Sequence, residues 1–339
     1  MTSRTDGPAA GVRLPVWRQV EHVMGMPISL ALRGRHAGDR YGEAAWARAL
    51  AVLHEADRVF STYRADSFVS RLGRGEITVA DCPAEVGEVL ALGELARVQS
   101  GGAFDVRRPD GAGRQVLDPS GVVKGWAVQR AAHAFDVLTD TDVCLSAGGD
   151  MVCRVVDPER APWRIGIEDP RDPSRVVAVV PLRDGALATS APTHRGDHIV
   201  DARTGEVPRG VRSVTVVADD LTWADIDATA AFAQGDQALR WLQSRPCRRG
   251  VVVGEDGSVQ AYATAWVALE LEPVVGLGLG VLGGAGVHPD VTAPVAVVAG
   301  AGQVARRGHH VTHVEPPGSP PRHPPRPPAR PAQKLTWRC

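Results

Sequence analysis

Asp225 and Thr229 stand four residues apart in the segment TWADIDAT (222–229). If that segment is helical, their side chains lie one turn apart on a single face. A carboxylate and a hydroxyl so placed suit a hard cation such as magnesium, which takes oxygen ligands. Ahead of them HIVDARTG (198–205) reads as a loop that opens on His198. A histidine there could take or give a proton near neutral pH. The three residue types together point to metal-assisted chemistry on a phosphorylated ligand. A structural explanation competes with it. Asp225 and Asp227 both fall in an expected first helical turn, where acidic side chains oppose the helix dipole. A loop histidine, taken singly, is more often bonded to backbone.

Four further segments hold residues that can meet a ligand. In GGAFDVRRPD (101–110) two glycines precede Phe104 and Asp105 and permit a close backbone approach. Read in isolation, they are better explained as a helix C-cap, a core Phe and a turn Asp. In VLDPSGVVKGWAV (116–128) a loop enters a helix, where free N–H groups and Lys124 would attract an anion. Asp118 stands on the other side of Gly121, either gripping a nucleotide or capping the helix. The segment is not a Walker loop, because GxxxxGK followed by Ser or Thr is absent. SAGGD (146–150) follows a strand and turns sharply, projecting Asp150, and a hairpin turn explains it cheaply. ALATSAPTHRGDH (186–198) reads as a Ser/Thr-rich connection whose two histidines lack a third ligand at zinc spacing.

The elements that must position these residues follow from pattern. Glu43 to Phe60 reads as an amphipathic helix with Trp46, Leu50 and Leu53 on one stripe. Asp81 and Pro83 open a second helix that runs to about Val98 and stops at Gly101-Gly102. A third starts near Val123. Strands are expected at 142–147, 163–167, 176–180, 213–218 and 250–254, with a turn at 255–258 back into 259–262. The turn-rich DPRDPS between 163–167 and 176–180 favours an antiparallel meander. The fold class expected is α+β, a single domain with a mixed, largely antiparallel sheet flanked by helices.

Composition narrows the functions. The 339 residues carry a formal net charge of −1, which argues against a nucleic-acid partner. Five scattered cysteines fit a reducing cytosol better than a disulfide framework. No stretch reaches the ~20 uninterrupted apolar residues of a spanning helix, so no membrane insertion is expected. The nearest candidate, Val274 to Val287, is short and holds six glycines. Beyond Trp266 the sequence turns Gly/Val-rich and then Pro/Arg-rich, as in EPPGSPPRHPPRPPARP, and cannot bury an apolar face. Three segments are therefore expected: a flexible 1–18, a domain over 19–266 and a disordered tail over 267–339.

The order of the segments is more specific than any one of them. GGAFD, LDPSGVVKG, SAGGD, ATS, HIVDARTG and ADIDATA resemble the successive motifs of the ApbE-like family, the FAD:protein FMN transferases. VMGMPISL (23–30) is similar to that family's opening methionine-glycine strand, and FSTYRADS (60–67) to its Ser-x-Tyr helix end. The likeness runs over roughly 20–266. It departs at Pro119-Ser120 for Leu-Gly, Ala191 for Gly, Ala202 for Pro, and Met26-Pro27 for a Thr-led run.

The resemblance implies a magnesium-dependent transfer of FMN from FAD to a Thr or Ser hydroxyl of an acceptor protein, with release of AMP. It implies FAD contacts at Met24, Tyr63, Ala103, Phe104, Asp105, Asp118, Lys124 and Ile199. Asp225 and Thr229 would hold the metal, with backbone oxygens near Gly121 and Thr222. His198 matches the family's catalytic histidine, and Asp227 is a position the metal motif skips. Two rival readings share the same residues: a pyrophosphatase splitting FAD into FMN and AMP, and a non-catalytic flavin-binding protein. The absence of a signal-like start or a lipid-attachment cysteine suggests a cytoplasmic protein.

Overall fold

A computed structural model describes residues 14–109, 113–192, 199–246, 248–264 and 280–281. His198, most of the segment beyond 264 and the first residues of the chain lie outside the described residues.

The chain opens with a hairpin, β1 (Val16–Val23) and β2 (Met26–Gly34), so pairing begins inside the segment expected to be flexible to 18. Helix α1 (Arg40–Phe60) starts three residues before the expected Glu43. Its true start is set by Asp39, whose carboxylate accepts from the backbone N–H of Tyr41 and Gly42. Ala45, Ala49, Leu53 and Ala56 form its buried stripe. A short α2 (Phe68–Gly73) and α3 (Ala84–Gln99) follow. Gly101 and Gly102 end α3 as expected, at φ of +63° and +88°, with Gly102 N donating to Arg97 O. The small pair β3 (Arg107–Pro109) and β4 (Gln115–Leu117) leads into α4 (Ser120–Ala132), which begins three residues before Val123.

Strands β5 (Thr141–Ala147) and β6 (Asp150–Arg154) form a hairpin around Gly148-Gly149. The meander follows as expected, β7 (Trp163–Asp169) pairing antiparallel with β8 (Asp172–Leu182). Next come β9 (Asp184–Ser190), β10 (Val211–Ala218), α5 (Leu221–Ala233), α6 (Ala238–Gln243), β11 (Arg249–Gly254) and β12 (Val259–Ala263). A two-residue β13 (Gly280–Val281) pairs parallel with β12. The main sheet has the order β1-β2-β5-β6-β9-β10-β11-β12-β13, antiparallel except at that last pair.

Alternation along the strands sorts the core into two layers. Ile28, Leu30, Leu145, Ala186, Ala188, Val214 and Val216 face α1, α4 and α5. Cys144, Cys153, Leu187, Val217, Val251 and Val253 face the β7–β8 hairpin. The result is three layers: helices, sheet, hairpin. Among the described residues no helix is long and apolar enough to cross a membrane.

One expectation fails here. Residues 186–190 are not a connection but β9, a central strand between β6 and β10. Small side chains conceal it. Ala186, Leu187 and Ala188 are all at most 2% exposed, because the strand is covered on both faces and shows no polar alternation.

Candidate functional site

Helices α4 and α5 approach closely, and glycines allow it. A Cβ on Gly125 would fall 2.7 Å from Leu221 O and 2.8 Å from the Asp225 Cβ. One on Gly121 would meet the Phe104 ring at 2.9 Å and the Thr229 Cγ2 at 3.8 Å. Gly121 and Gly125 therefore form the α4 face against which α5 sets Asp225 and Thr229.

That contact builds a buried charged cluster. The Lys124 Nζ lies 2.6 Å from Asp150 Oδ2 and 3.2 Å from Asp225 Oδ1. Asp225 Oδ2 accepts from Gly125 N at 2.9 Å. Asp150 is 0% exposed and Asp225 1%. Asp150 Oδ1 accepts from Thr189 N of β9, and its Oδ2 accepts no hydrogen bond from a described residue beyond that ion pair. Beside them the Thr229 Oγ1 lies 3.1 Å from the Ser190 Oγ.

One ammonium thus faces two carboxylates, an excess of one negative charge in a largely desolvated place. The excess shows in the titration. Burial, with Asp150 adding repulsion against the pull of Lys124, pushes the Asp225 carboxyl up to about 7. For Lys124 burial works against the charge, but the two carboxylates outweigh it and hold the ammonium above its ordinary range.

The loops close around this cluster. Ala202 N donates to Ala103 O, joining the segment after α3 to the loop that runs from Ile199. Ala103 is buried, Phe104 is buried against Gly121, and Ile199 packs on the same core. Asp118 accepts from Ser120 N and pairs with Arg108 at 2.7 Å. Burial raises its carboxyl, but the Ser120 and Arg108 hydrogen bonds prevail and leave it below its ordinary value. It closes a turn into the first residue of α4 and is not the helix cap, a place taken by Pro119 without a side-chain bond. Asp105 accepts from Arg107 N in a local turn.

Met24 sits at the tip of the first hairpin in a left-handed conformation, φ +56°, which a non-glycine residue adopts at an energetic cost. The tip lies beside the Gly148 turn, since Gly148 N donates to Pro27 O. Tyr63 is 99% exposed on the loop between α1 and α2. Thr222 is buried in the first turn of α5. The structure thus joins Ala103, Phe104, Gly121, Lys124, Asp225 and Thr229 through contacts, and leaves Tyr63 apart on an exposed loop.

Two corrections follow. Asp225 and Asp227 are not in the first turn of α5, because the helix starts at Leu221 and its cap is Asp220, which accepts from Trp223 N. The dipole explanation belongs to Asp220 and does not account for Asp225. Asp150, passed over as a hairpin residue, is a full member of the cluster. Its sequence signal was a carboxylate directly after a Gly-Gly turn.

The arrangement defines a class: a three-layer α+β domain with a lysine-braced, oxygen-rich cluster where two helices meet the sheet. Among the described residues no three His, Cys, Asp or Glu side chains converge as a metal site. A hard cation here would rest on Asp225, the Thr229 hydroxyl and backbone oxygens. The excess negative charge and the raised Asp225 carboxyl fit such a cation.

The model of the ApbE family matches residues 110–252 of the chain. It is 34% identical over 170 residues to the FAD:protein FMN transferase of Rhodobacter capsulatus, covering 47% of this chain and 32% of that one. To the FAD:protein FMN transferase of Vibrio cholerae it is 30% identical over 160 residues, covering 44% and 48%. These matches span between a third and a half of the relatives' length. The crystal structure of the ApbE protein of Thermotoga maritima superposes with a TM-score of 0.62 at 22% identity, covering 73% of this chain and 97% of that one. The flavin transferase ApbE of Vibrio cholerae gives 0.61 at 22%, covering 74% and 98%. At that identity these two establish the fold.

Proposed function

We propose that this chain transfers the FMN half of FAD to a Thr or Ser hydroxyl of an acceptor protein, with magnesium bound and AMP released. One observation carries the reading: Lys124 is braced between Asp150 and Asp225, with the Thr229 hydroxyl one helical turn beyond Asp225. Relatives named FAD:protein FMN transferase support it.

In this reading the acceptor oxygen forms a bond to the FMN phosphorus while the bond from that phosphorus to the AMP oxygen breaks. AMP leaves with the bridging oxygen, and the hydroxyl proton passes to His198. Asp225 and Thr229 hold the magnesium, with backbone oxygens near Gly121 and Thr222. The metal supplies neutralisation of the pyrophosphate charge. Lys124 adds a positive charge on the same side. Met24, Ala103, Phe104, Asp105, Asp118 and Ile199 shape the FAD cradle, and Tyr63, exposed on the α1–α2 loop, would meet the ligand only on binding. The unit proposed to carry all this is 19–266.

The test mixes the chain with FAD, magnesium and a candidate acceptor. Flavin fluorescence that stays with the acceptor after denaturation is the expected result. AMP release without labelling would favour a pyrophosphatase, and neither product a binding protein. His198→Ala is expected to bind FAD yet lose about 10²–10⁴-fold in transfer rate. Unchanged transfer by that variant removes the histidine from the reaction.

A further inference from the structure

Two carboxylates compete for the Lys124 ammonium, and they are held differently. Asp150 is the nearer, at 2.6 Å against 3.2 Å for Asp225. It is anchored from the sheet: it begins β6 directly after the Gly148-Gly149 turn, and Thr189 N of β9 fixes its other oxygen. Asp225 reaches the lysine from α5 and stands on the face that carries Thr229. If a cation draws on Asp225, the oxygen facing Lys124 is the one not bonded to Gly125 N. The lysine then keeps Asp150 alone.

We infer that Asp150 is a positioning residue, which holds the Lys124 ammonium in place and directed at the phosphates of a bound ligand once a cation engages Asp225. This rests on the flavin-transfer reading. An ammonium has three N–H donors. With one kept by Asp150, two are free for phosphate oxygens. Lys124 is the exposed member, with 21% of its side chain accessible, whereas the Asp150 side chain is fully covered. Asp150 therefore acts on a ligand only through the lysine. Without it, a mobile ammonium beside a bound cation would be repelled from the site.

The experiment is a double-mutant cycle on binding, with Asp150→Asn, Lys124→Met and both together. FAD is titrated in the presence of magnesium, and riboflavin serves as the probe that has the same ring system without phosphates. Asp150→Asn is expected to weaken FAD binding about tenfold and leave riboflavin unchanged. The double variant should bind FAD no worse than Lys124→Met. Wild-type-like FAD binding by Asp150→Asn, an equal loss for riboflavin, or additive losses in the double variant would each overturn the inference.

If Asp150→Asn does not fold, the wild-type protein decides. Lys124 should stay as protected from an amine-acylating reagent with magnesium as without it, and exposure on adding magnesium overturns the role. A wild-type chain that takes no FAD defeats the flavin reading. The same cycle with magnesium and inorganic pyrophosphate then decides Asp150 separately, and absence of a lysine-dependent loss there overturns it.

Discussion

Asp225 and Asp227 are two residues apart on α5, both 1% exposed, yet they meet opposite charge balances. Asp227 is gripped by two guanidinium groups, Arg245 Nε at 3.1 Å and Arg248 Nε at 2.6 Å. Arg245 also donates to Gln99 Oε1 and lies near the rings of Trp223 and Trp241. Both guanidinium groups converge on that one carboxylate, leaving the balance positive, and the cluster ties α5 to α3, α6 and the start of β11. Asp225 shares a single lysine with Asp150, and the balance is left negative. A buried carboxylate closed off by two guanidinium groups holds the fold. One left sharing a single ammonium with a second carboxylate is open to a cation.

The largest expected effect breaks the closed cluster. Asp227→Asn leaves two guanidinium groups without their carboxylate, and loss of one partner of a buried pair costs about 3–5 kcal/mol. Urea denaturation should show that loss, while the stabilisation gained on adding magnesium stays as in the wild type. A variant that loses little stability, or that loses the magnesium effect, would erase the contrast between the two aspartates.

Next comes the helix contact that sets Asp225. Gly125→Ala adds a Cβ against the Leu221 carbonyl and the Asp225 Cβ, neither of which can swing aside. The gain in helix propensity, about 1 kcal/mol, is outweighed by overpacking. A net loss of about 2 kcal/mol in thermal unfolding is expected. Because the push falls on Asp225, the magnesium-dependent rise in Tm should shrink too. A Gly125→Ala protein with full stability and full response would mean that the helices are not in the tight contact described.

The open cluster can be relieved as well as broken. The folded Asp225 carboxyl is raised to about 7 from an ordinary 3.8, so folding favours its protonated form. Its contribution to stability is fully present below about pH 4 and is lost as pH rises through about 7. Asparagine does not titrate and keeps an acceptor for Gly125 N. Relative to wild type, Asp225→Asn should therefore gain stability between pH 4 and pH 8, on the order of 2 kcal/mol. Denaturation without metal at both pH values measures it. With magnesium the order should reverse, because the ligand stabilises only the wild type. A difference that is flat with pH would refute the excess charge.

The contrast between the two aspartates was half legible in the chain. Periodicity located α1, α3, α4 and the strands β5, β7, β8, β10, β11 and β12, because elements such as α1 and β10 obey simple rules of spacing and burial. The ordered motifs led to Lys124, Asp225 and Thr229, which the fold brings together. What sequence could not supply was partnership across distance. Asp227 looks no different from Asp225 until Arg245 and Arg248 arrive from beyond α6. Asp150 resembles any turn carboxylate until α4 lays Lys124 over it. Strand β9 was hidden because its own side chains are small and both its faces are covered, so that Ser190 seemed part of a loop.

Ser190 gives the finest test, because its bond to Thr229 joins two neutral groups at the rim of the open cluster. Ser190→Ala removes one hydroxyl from a buried place and leaves the Thr229 Oγ1 without that partner. A loss of about 1 kcal/mol is expected in thermal unfolding. Thr229 is the less buried of the two and keeps its own hydroxyl. The magnesium midpoint should therefore hold, or tighten if the hydroxyl is freed to turn toward the cation. A midpoint that weakens as much as it does in Asp225→Asn would place Ser190 among the groups that hold the ion. The line between the closed and open clusters would then have to be redrawn through β9 rather than through α5.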